Sequence, residues 1–191
     1  FNVQAAADAD GNVTIVWQSF RNQQADVYAQ RLTGGTWGEP LRVSPSPNSD
    51  WEPVVAVDSS GAAWIAWDTY DRGNYDVQLR KLTANGLGPL TAITTEPTAQ
   101  FHPTIAVDAQ DRVWIAWDDG GINWGKDFSR SSAAEGSRGL HYSRTLEVRV
   151  LEDGTLQQPT AELSRILTGR MERFAELPCL RAITSGALWL V

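Results

Sequence analysis

The residue types best equipped for chemistry crowd into one stretch. Gly120 to Arg144 carries Asn123, Trp124, Lys126, Asp127, Arg130, Arg138, His141 and Tyr142, and Asp118 and Asp119 stand just before it. Trp and Tyr offer flat faces for stacking, Lys and Arg offer cationic donors, and Asn and the carboxylates bond hydroxyls. That mixture suits recognition of a glycan or a peptide. It does not suit a metal centre built on several histidines, because His102 and His141 are the only two. The sequence contains no Ser/His/Asp nucleophile motif, P-loop or dinucleotide fingerprint, so no cofactor is implied. Two readings stay open for the stretch, which is rich in Gly and Ser: a solvated surface loop, or a binding loop in which Trp124 covers a ligand. Asp118, Asp119 and the equivalent Asp68 are likewise open, either as turn or cap residues or as carboxylates at the rim of a central pocket.

The elements that must position these residues repeat. Pro53 to Asp68 reads P-V-V-A-V-D-S-S-G-A-A-W-I-A-W-D, two apolar runs joined by a turn. Asp58 suits the first turn position, where its carboxylate bonds backbone N–H groups, and Gly61 suits the fourth, where positive φ is common. Such a pair predicts a β-hairpin. The run from Ala62 to Trp67 is apolar without alternation, which predicts a strand buried on both faces. The hairpin recurs at Pro103 to Asp118, with Asp58 to Asp108, Trp64 to Trp114 and Trp67 to Trp117 each a step of 50 residues. A copy precedes it at Val3 to Gln18, and a fourth begins at Pro178. Asp8, Asp58 and Asp108 are read as turn residues. Trp17, Trp67 and Trp117 are read as core, with Trp64, Trp114 and Trp189 alongside them.

Each unit holds four strand candidates, which in the second are Val54–Asp58, Ala62–Asp68, Asp76–Leu82 and Leu90–Thr94. Four strands in 40–50 residues is the signature of a β-propeller blade. The fold class predicted is therefore all-β, an incomplete β-propeller of four-stranded antiparallel blades. The units are 1–50, 51–100 and 101–175 with an inserted loop at 120–144, followed by the start of a fourth at 176–191. A short helix is expected near Arg165–Leu177. Because propellers close with four to eight blades, the chain is expected to be a piece of a longer protein whose remaining blades are its partners. If the first strand of each unit is innermost, the D-x-x-G turns lie on one face. The insertion lies on the other, beside Tyr70–Tyr75, Asp50-Trp51-Glu52 and Phe101-His102.

Charge narrows the partners. A net charge of −7 argues against nucleic acid and anionic membrane surfaces. No apolar run approaches the ~20 residues that span a bilayer. Cys179 is the only cysteine, so no intrachain disulfide can form.

The pattern D-x-x-G-x-x-W-x-x-W at Asp58 to Trp67 resembles the repeats of bacterial sialidase-like propellers, the BNR or Asp-box group. It departs from the Asp box S-x-D-x-G-x-T-W, which has one residue between Asp and Gly rather than two. The resemblance implies a propeller fold, a secreted bacterial protein and, for a sialidase, an arginine triad, a Tyr–Glu pair and an Asp acid/base. No Arg-Ile-Pro segment is present to carry the first arginine, so no catalytic residue carries over. The segment N-W-G-K-D, Asn123 to Asp127, also resembles a loop in secreted bacterial propellers of unknown activity, some of which precede a histidinol-phosphatase-type hydrolase domain. Two functions follow as expectations. The first is a ligand-binding or scaffolding module, extracellular or periplasmic, that recognises a glycan or peptide. The second is a sialidase-like glycoside hydrolase with catalytic residues partly outside this chain.

The insertion generates the first prediction. With Trp124 as stacking platform, Trp124→Ala weakens ligand binding by roughly 1–3 kcal/mol, by analogy with aromatic–base stacking, and leaves the melting temperature nearly unchanged. Lowered stability with intact binding, measured by calorimetry, would make Trp124 a packing residue instead.

Overall fold

A computed structural model describes residues 1–21, 23–122, 145–159, 178–182 and 188–190. The first sheet is β1 (Gln4–Ala7), β2 (Val13–Arg21) and β3 (Gln24–Thr33), with its outer strand split into β4 (Thr36–Trp37) and β5 (Leu41–Arg42). The second is β6 (Asp50–Val57), β7 (Ala63–Thr69), β8 (Asp76–Thr83) and β9 (Gly86–Ala92). The third is β10 (Thr98–Val107), β11 (Val113–Ile122), β12 (Thr145–Glu152) and β13 (Thr155–Gln157). Then β14 (Leu180–Ala182) pairs with β15 (Leu188–Leu190). Every sheet is an antiparallel meander in sequence order. The architecture is all-β, built from propeller blades.

The D-x-x-G turns hold each blade's inner hairpin. Asp58 Oδ1 accepts the backbone N–H groups of Ser60 and Ala62, both at 3.0 Å, and Asp108 Oδ1 does the same for Gln110 and Arg112. The second oxygen explains the tryptophan six residues on. Trp64 Nε1–H donates to Asp58 Oδ2 at 2.9 Å, and Trp114 Nε1–H donates to Asp108 Oδ2 at 2.8 Å. These half-buried indoles are therefore tethers as well as core edge, since Trp64 and Trp114 also pack against buried residues. A cation covers each ring, Lys81 over Trp64 and Arg112 over Trp114. Burial pushes the Asp58 carboxyl up, but Lys81, Ser60 and Trp64 outweigh it and hold it at about 2. Gly61 closes the turn at φ 76°, and a Cβ there would meet Asp8 Oδ2 of the neighbouring blade at 3.0 Å.

Between blades lies one apolar layer each time. On β7, Ala63, Ile65 and Trp67 face the first blade and pack with Val16, Val27, Ala29 and Val43. Ala66, between them, faces the third blade and packs with Val113, Ile115 and Trp117. Both faces are buried, as the unbroken apolar run predicts. The next layer joins Ala106, Ala116 and Val148 to Leu180 of β14. Trp67 and Trp117 are core, whereas Trp17 is half-buried and stacks on Tyr28 at 6.0 Å. The fourth strand of the second blade begins at Gly86, ahead of the expected Leu90, because Thr83 and Gly86 already pair across the tight turn. The insertion joins β11 to β12, and the segment expected to be helical lies outside the described residues.

Asp68 and Asp118 are neither turn nor cap residues. They sit within β7 and β11, paired with Trp51 and Phe101. Asp50, at the start of β6, is fully buried; Trp67 Nε1–H donates to its Oδ1 at 3.2 Å, and the Thr69 and Ser44 side chains also favour its charged form. Burial pushes its carboxyl up to about 6. A carboxyl raised on folding stabilises the fold below its unfolded value of 3.8, and that stability is lost as pH climbs through about 6. Between pH 4.5 and 7.5, Asp50 therefore costs the fold about 2 kcal/mol. Asp50→Asn keeps an acceptor for Trp67, so its unfolding free energy falls less over that range, by about that amount. Equal falls in the two proteins by urea denaturation would refute this.

Candidate functional site

The inner strands of the second and third blades carry the same irregularity. Trp51 pairs with Asp68 and Val54 with Ala66, so Glu52 and Pro53 together oppose Trp67. Phe101 pairs with Asp118 and Thr104 with Ala116, so His102 and Pro103 oppose Trp117. Each is a β-bulge, a device that re-aims a side chain. Glu52 has φ 50° and His102 φ 52°, and Asn2, at the same place in the first blade, has φ 50°. Left-handed backbone is unfavourable in residues with a Cβ, and a following proline restricts the residue before it further. Such strain costs on the order of 1–3 kcal/mol and persists only where the surroundings impose it. The prolines themselves are tolerated because a bulge demands no ladder N–H.

The result is convergence. Asn2, Glu52 and His102 line two adjoining recesses on the loop face, each of about 350 Å³. His102 bridges two blades: Nδ1 lies 3.0 Å from Asp118 Oδ2, and Nε2 lies 3.4 Å from Glu52 Oε2. Asn2 Nδ2 donates to Gln18 Oε1 at 3.4 Å. Behind this tier stands a second one, Gln18, Asp68 and Asp118, again at steps of 50. Asp118 is completely buried and backs His102. Asp68 is 3% exposed, and its Oδ1 has no hydrogen-bond partner among the described residues, although the residue lines the inner of the two recesses, the one bordered by Trp51, Tyr75 and Phe101. Burial and then the charge of Glu52 push the Asp68 carboxyl well up, against a hydrogen bond from the His102 backbone N–H.

One wall is aromatic. Trp51 and Tyr75 lie 5.6 Å apart, Tyr70 and Tyr75 5.1 Å, and Tyr75 and Phe101 6.1 Å, mostly edge to face. Trp51, Tyr75 and Phe101 all border the inner recess. No Lys or Arg is among its described walls. Acceptors, one bridging imidazole and aromatic rings can take hydroxyls and the apolar faces of a ring-shaped ligand.

The predicted site residues separate. Asp118 joins the cleft as the support of His102. Asp119, one residue on, points to the other side of its strand, where Thr98 Oγ1 donates to it at 2.8 Å and Gln100 Nε2 at 3.1 Å. Asn123, Trp124, Lys126, Asp127, Arg130, His141 and Tyr142 lie outside the described residues. Sequence reasoning put Glu52 and His102 on this face but gave them no role. The signal was available: Phe1, Trp51 and Phe101 are each followed by a polar residue, and two of those precede proline.

No family model matches the chain, and no curated protein matches it. Solved structures do. GH43B of the Bacteroides ovatus xyloglucan PUL is 12% identical with a TM-score of 0.54, over 95% of this chain and 33% of that one. A thermostable family-43 glycoside hydrolase is 8% identical with a TM-score of 0.53, over 94% of this chain and 61% of that one. The polysaccharide lyase Uly1 is 7% identical with a TM-score of 0.51, over 94% of this chain and 42% of that one. The chain thus spans between a third and two thirds of these propeller proteins. At such identities the likeness is one of fold.

Proposed function

We propose that this chain is a glycan-recognising part of an extracellular β-propeller, and that it seats an uncharged sugar in the cleft among Asn2, Glu52 and His102. One observation carries the reading. A strained bulge, repeated in three adjacent blades, turns a different polar side chain at each toward the same recess, beside an aromatic wall. Strain kept at equivalent places points to a use for the groups it presents. Sugar hydroxyls match the carboxylates and the imidazole, and a sugar's C–H face matches Trp51 and Tyr75. The fold neighbours, one named for a xyloglucan PUL, one as a glycoside hydrolase and one as a polysaccharide lyase, agree with that ligand class. The recess bordered by Trp51, Tyr75 and Phe101 holds Glu52 and Asp68 with no cation among its described walls, which disfavours a uronate or a sialic acid there, and Arg181 is the one described cation on the adjoining recess, where a sialidase-like site asks for three arginines.

The test is a polysaccharide array that includes xyloglucan, other neutral glycans, polyuronates and peptides. Neutral glycans bind, and Tyr75→Ala weakens that binding about tenfold or more, the 1.4 kcal/mol scale of a stacking contact. Trp37→Ala, on the face of the D-x-x-G turns, leaves it unchanged. Glu52→Gly also weakens binding, yet holds or raises the melting temperature, since glycine adopts φ 50° without strain. Binding confined to polyuronates or peptides, or a Tyr75→Ala protein that binds as before, would count against the proposal.

A further inference from the structure

The two recesses differ in surface and in charge. The inner one offers aromatic rings and Glu52, with no cation among its described walls. The adjoining one has no Trp, Tyr or Phe among its described walls; it offers the amides of Asn2 and Gln4, the Thr104 hydroxyl and Arg181. Strand β14 brings Arg181 there. Leu180 packs into the layer with Ala106, Ala116 and Val148, and its N–H donates to Thr104 Oγ1 at 3.1 Å. Cys179 and Arg181, one residue to either side, therefore point the other way, onto the recess. Every other described Lys and Arg donates to a carboxylate, a carbonyl or a hydroxyl. Arg181 is exposed and makes no hydrogen bond, ion pair or ring contact with a described residue. An unpartnered arginine is ordinary on a convex surface, where water serves it. In a recess its donors are aimed at whatever enters.

Resting on the reading that an uncharged sugar sits in this cleft, we propose that the next unit of the same glycan is a uronate, seated in the adjoining recess with its carboxylate on Arg181. Each recess holds about 350 Å³, so each has room for a sugar ring. The planar fork of a guanidinium matches a carboxylate with two parallel hydrogen bonds. Asn2, Gln4 and Thr104 bond the hydroxyls of that unit. The two units then fit in one order only. Glu52 and the lack of a described cation turn a carboxylate away from the inner recess, and the adjoining one has no described aromatic platform for a sugar's apolar face. The net charge of −7 opposes an acidic glycan at long range, so a gain from the acid group is the work of a local contact. Arg181 is thus a specificity-determining residue, and the ligand is a heteroglycan in which neutral and acidic sugars are neighbours.

The experiment compares oligosaccharides of glucuronoxylan and of a uronate-bearing arabinogalactan with the same oligosaccharides after carboxyl reduction, which removes the charge and keeps the sugar. Affinities are measured by calorimetry, and each variant's fold is checked by its melting curve. The acidic form binds roughly tenfold or more tightly than the reduced form, the scale of a hydrogen bond to a charged group, and a polyuronate binds more weakly than either. Arg181→Gln brings the acidic form down to the reduced one, leaving the reduced form's affinity and the melting temperature unchanged. Arg21→Gln takes away the same charge elsewhere and leaves the advantage intact. The acidic form also slows alkylation of Cys179, the only thiol, by iodoacetamide. A reduced form that binds as tightly as the acid, or an advantage that survives Arg181→Gln, overturns the uronate site and leaves the neutral-sugar reading standing. So does a preference for sulfated over uronate-bearing glycans. A chain that binds neither form overturns both.

Discussion

The structure depends on the second strand of each blade being buried from both sides. Trp67 and Ile65 point into one neighbouring blade and Ala66 into the other. A strand clamped in this way cannot shift by one residue without exchanging its two faces. Its register is therefore fixed, and any extra residue in the hairpin must be taken up by the strand beside it. β6 and β10 are free to do so because their outer side looks onto the cleft. The bulges at Glu52 and His102 are where that accommodation appears, and they are also where the cleft acquires its polar groups. Packing and site are thus linked through one register.

The aspartates show how far placement decides chemistry. Asp58 and Asp108 sit at turns with backbone N–H groups, an indole N–H and a cation around them, and their carboxyls are held low. Asp50 and Asp68 sit inside the hairpin stem with few donors, and theirs are held high. The low group acts as a structural anchor: each oxygen is used, and the charge is neutralised by Lys81 or Arg112. The high group is a liability to stability at neutral pH, because the fold must either keep a proton on it or bury a charge. A liability retained at the wall of a cleft, with an oxygen still unbonded, is intelligible as part of a site.

The fold was legible in the sequence because its determinants are local or periodic. The Asp58-to-Gly61 turn, the apolar run from Ala62 to Trp67 and the step of 50 each state a geometric requirement in residue types. The tether from Trp64 to Asp58 was not read, since a six-residue spacing fits no strand or helix rule; it arises from the hairpin folding back on itself. The site was legible only in part. Asp118 was named because it ends a repeated motif. Glu52 and His102 were passed over because what makes them special is a positive φ, which no side chain announces unless it is glycine. Nor can the sequence show that Asp68 is buried, because its neighbours Glu52 and His102 belong to a different strand and a different blade.

The three bulges share a backbone but not a side chain. Asn2, Glu52 and His102 occupy one structural position, and Gln18, Asp68 and Asp118 occupy another. A repeat whose purpose was only packing would gain nothing from varying these positions, and the packing residues at Trp67 and Trp117 do not vary. The blade scaffold is copied, and the group it aims at the centre is changed from copy to copy. That is how a symmetrical frame can surround an asymmetrical ligand. The amide, the carboxylate and the imidazole approach one recess from three directions, and each blade's bulge bears its own strain to bring them there. The cross-blade bridge from Glu52 through His102 to Asp118 then ties the second and third blades at the cleft, so a ligand that displaces or tightens the bridge acts on the blade interface as well as on the pocket.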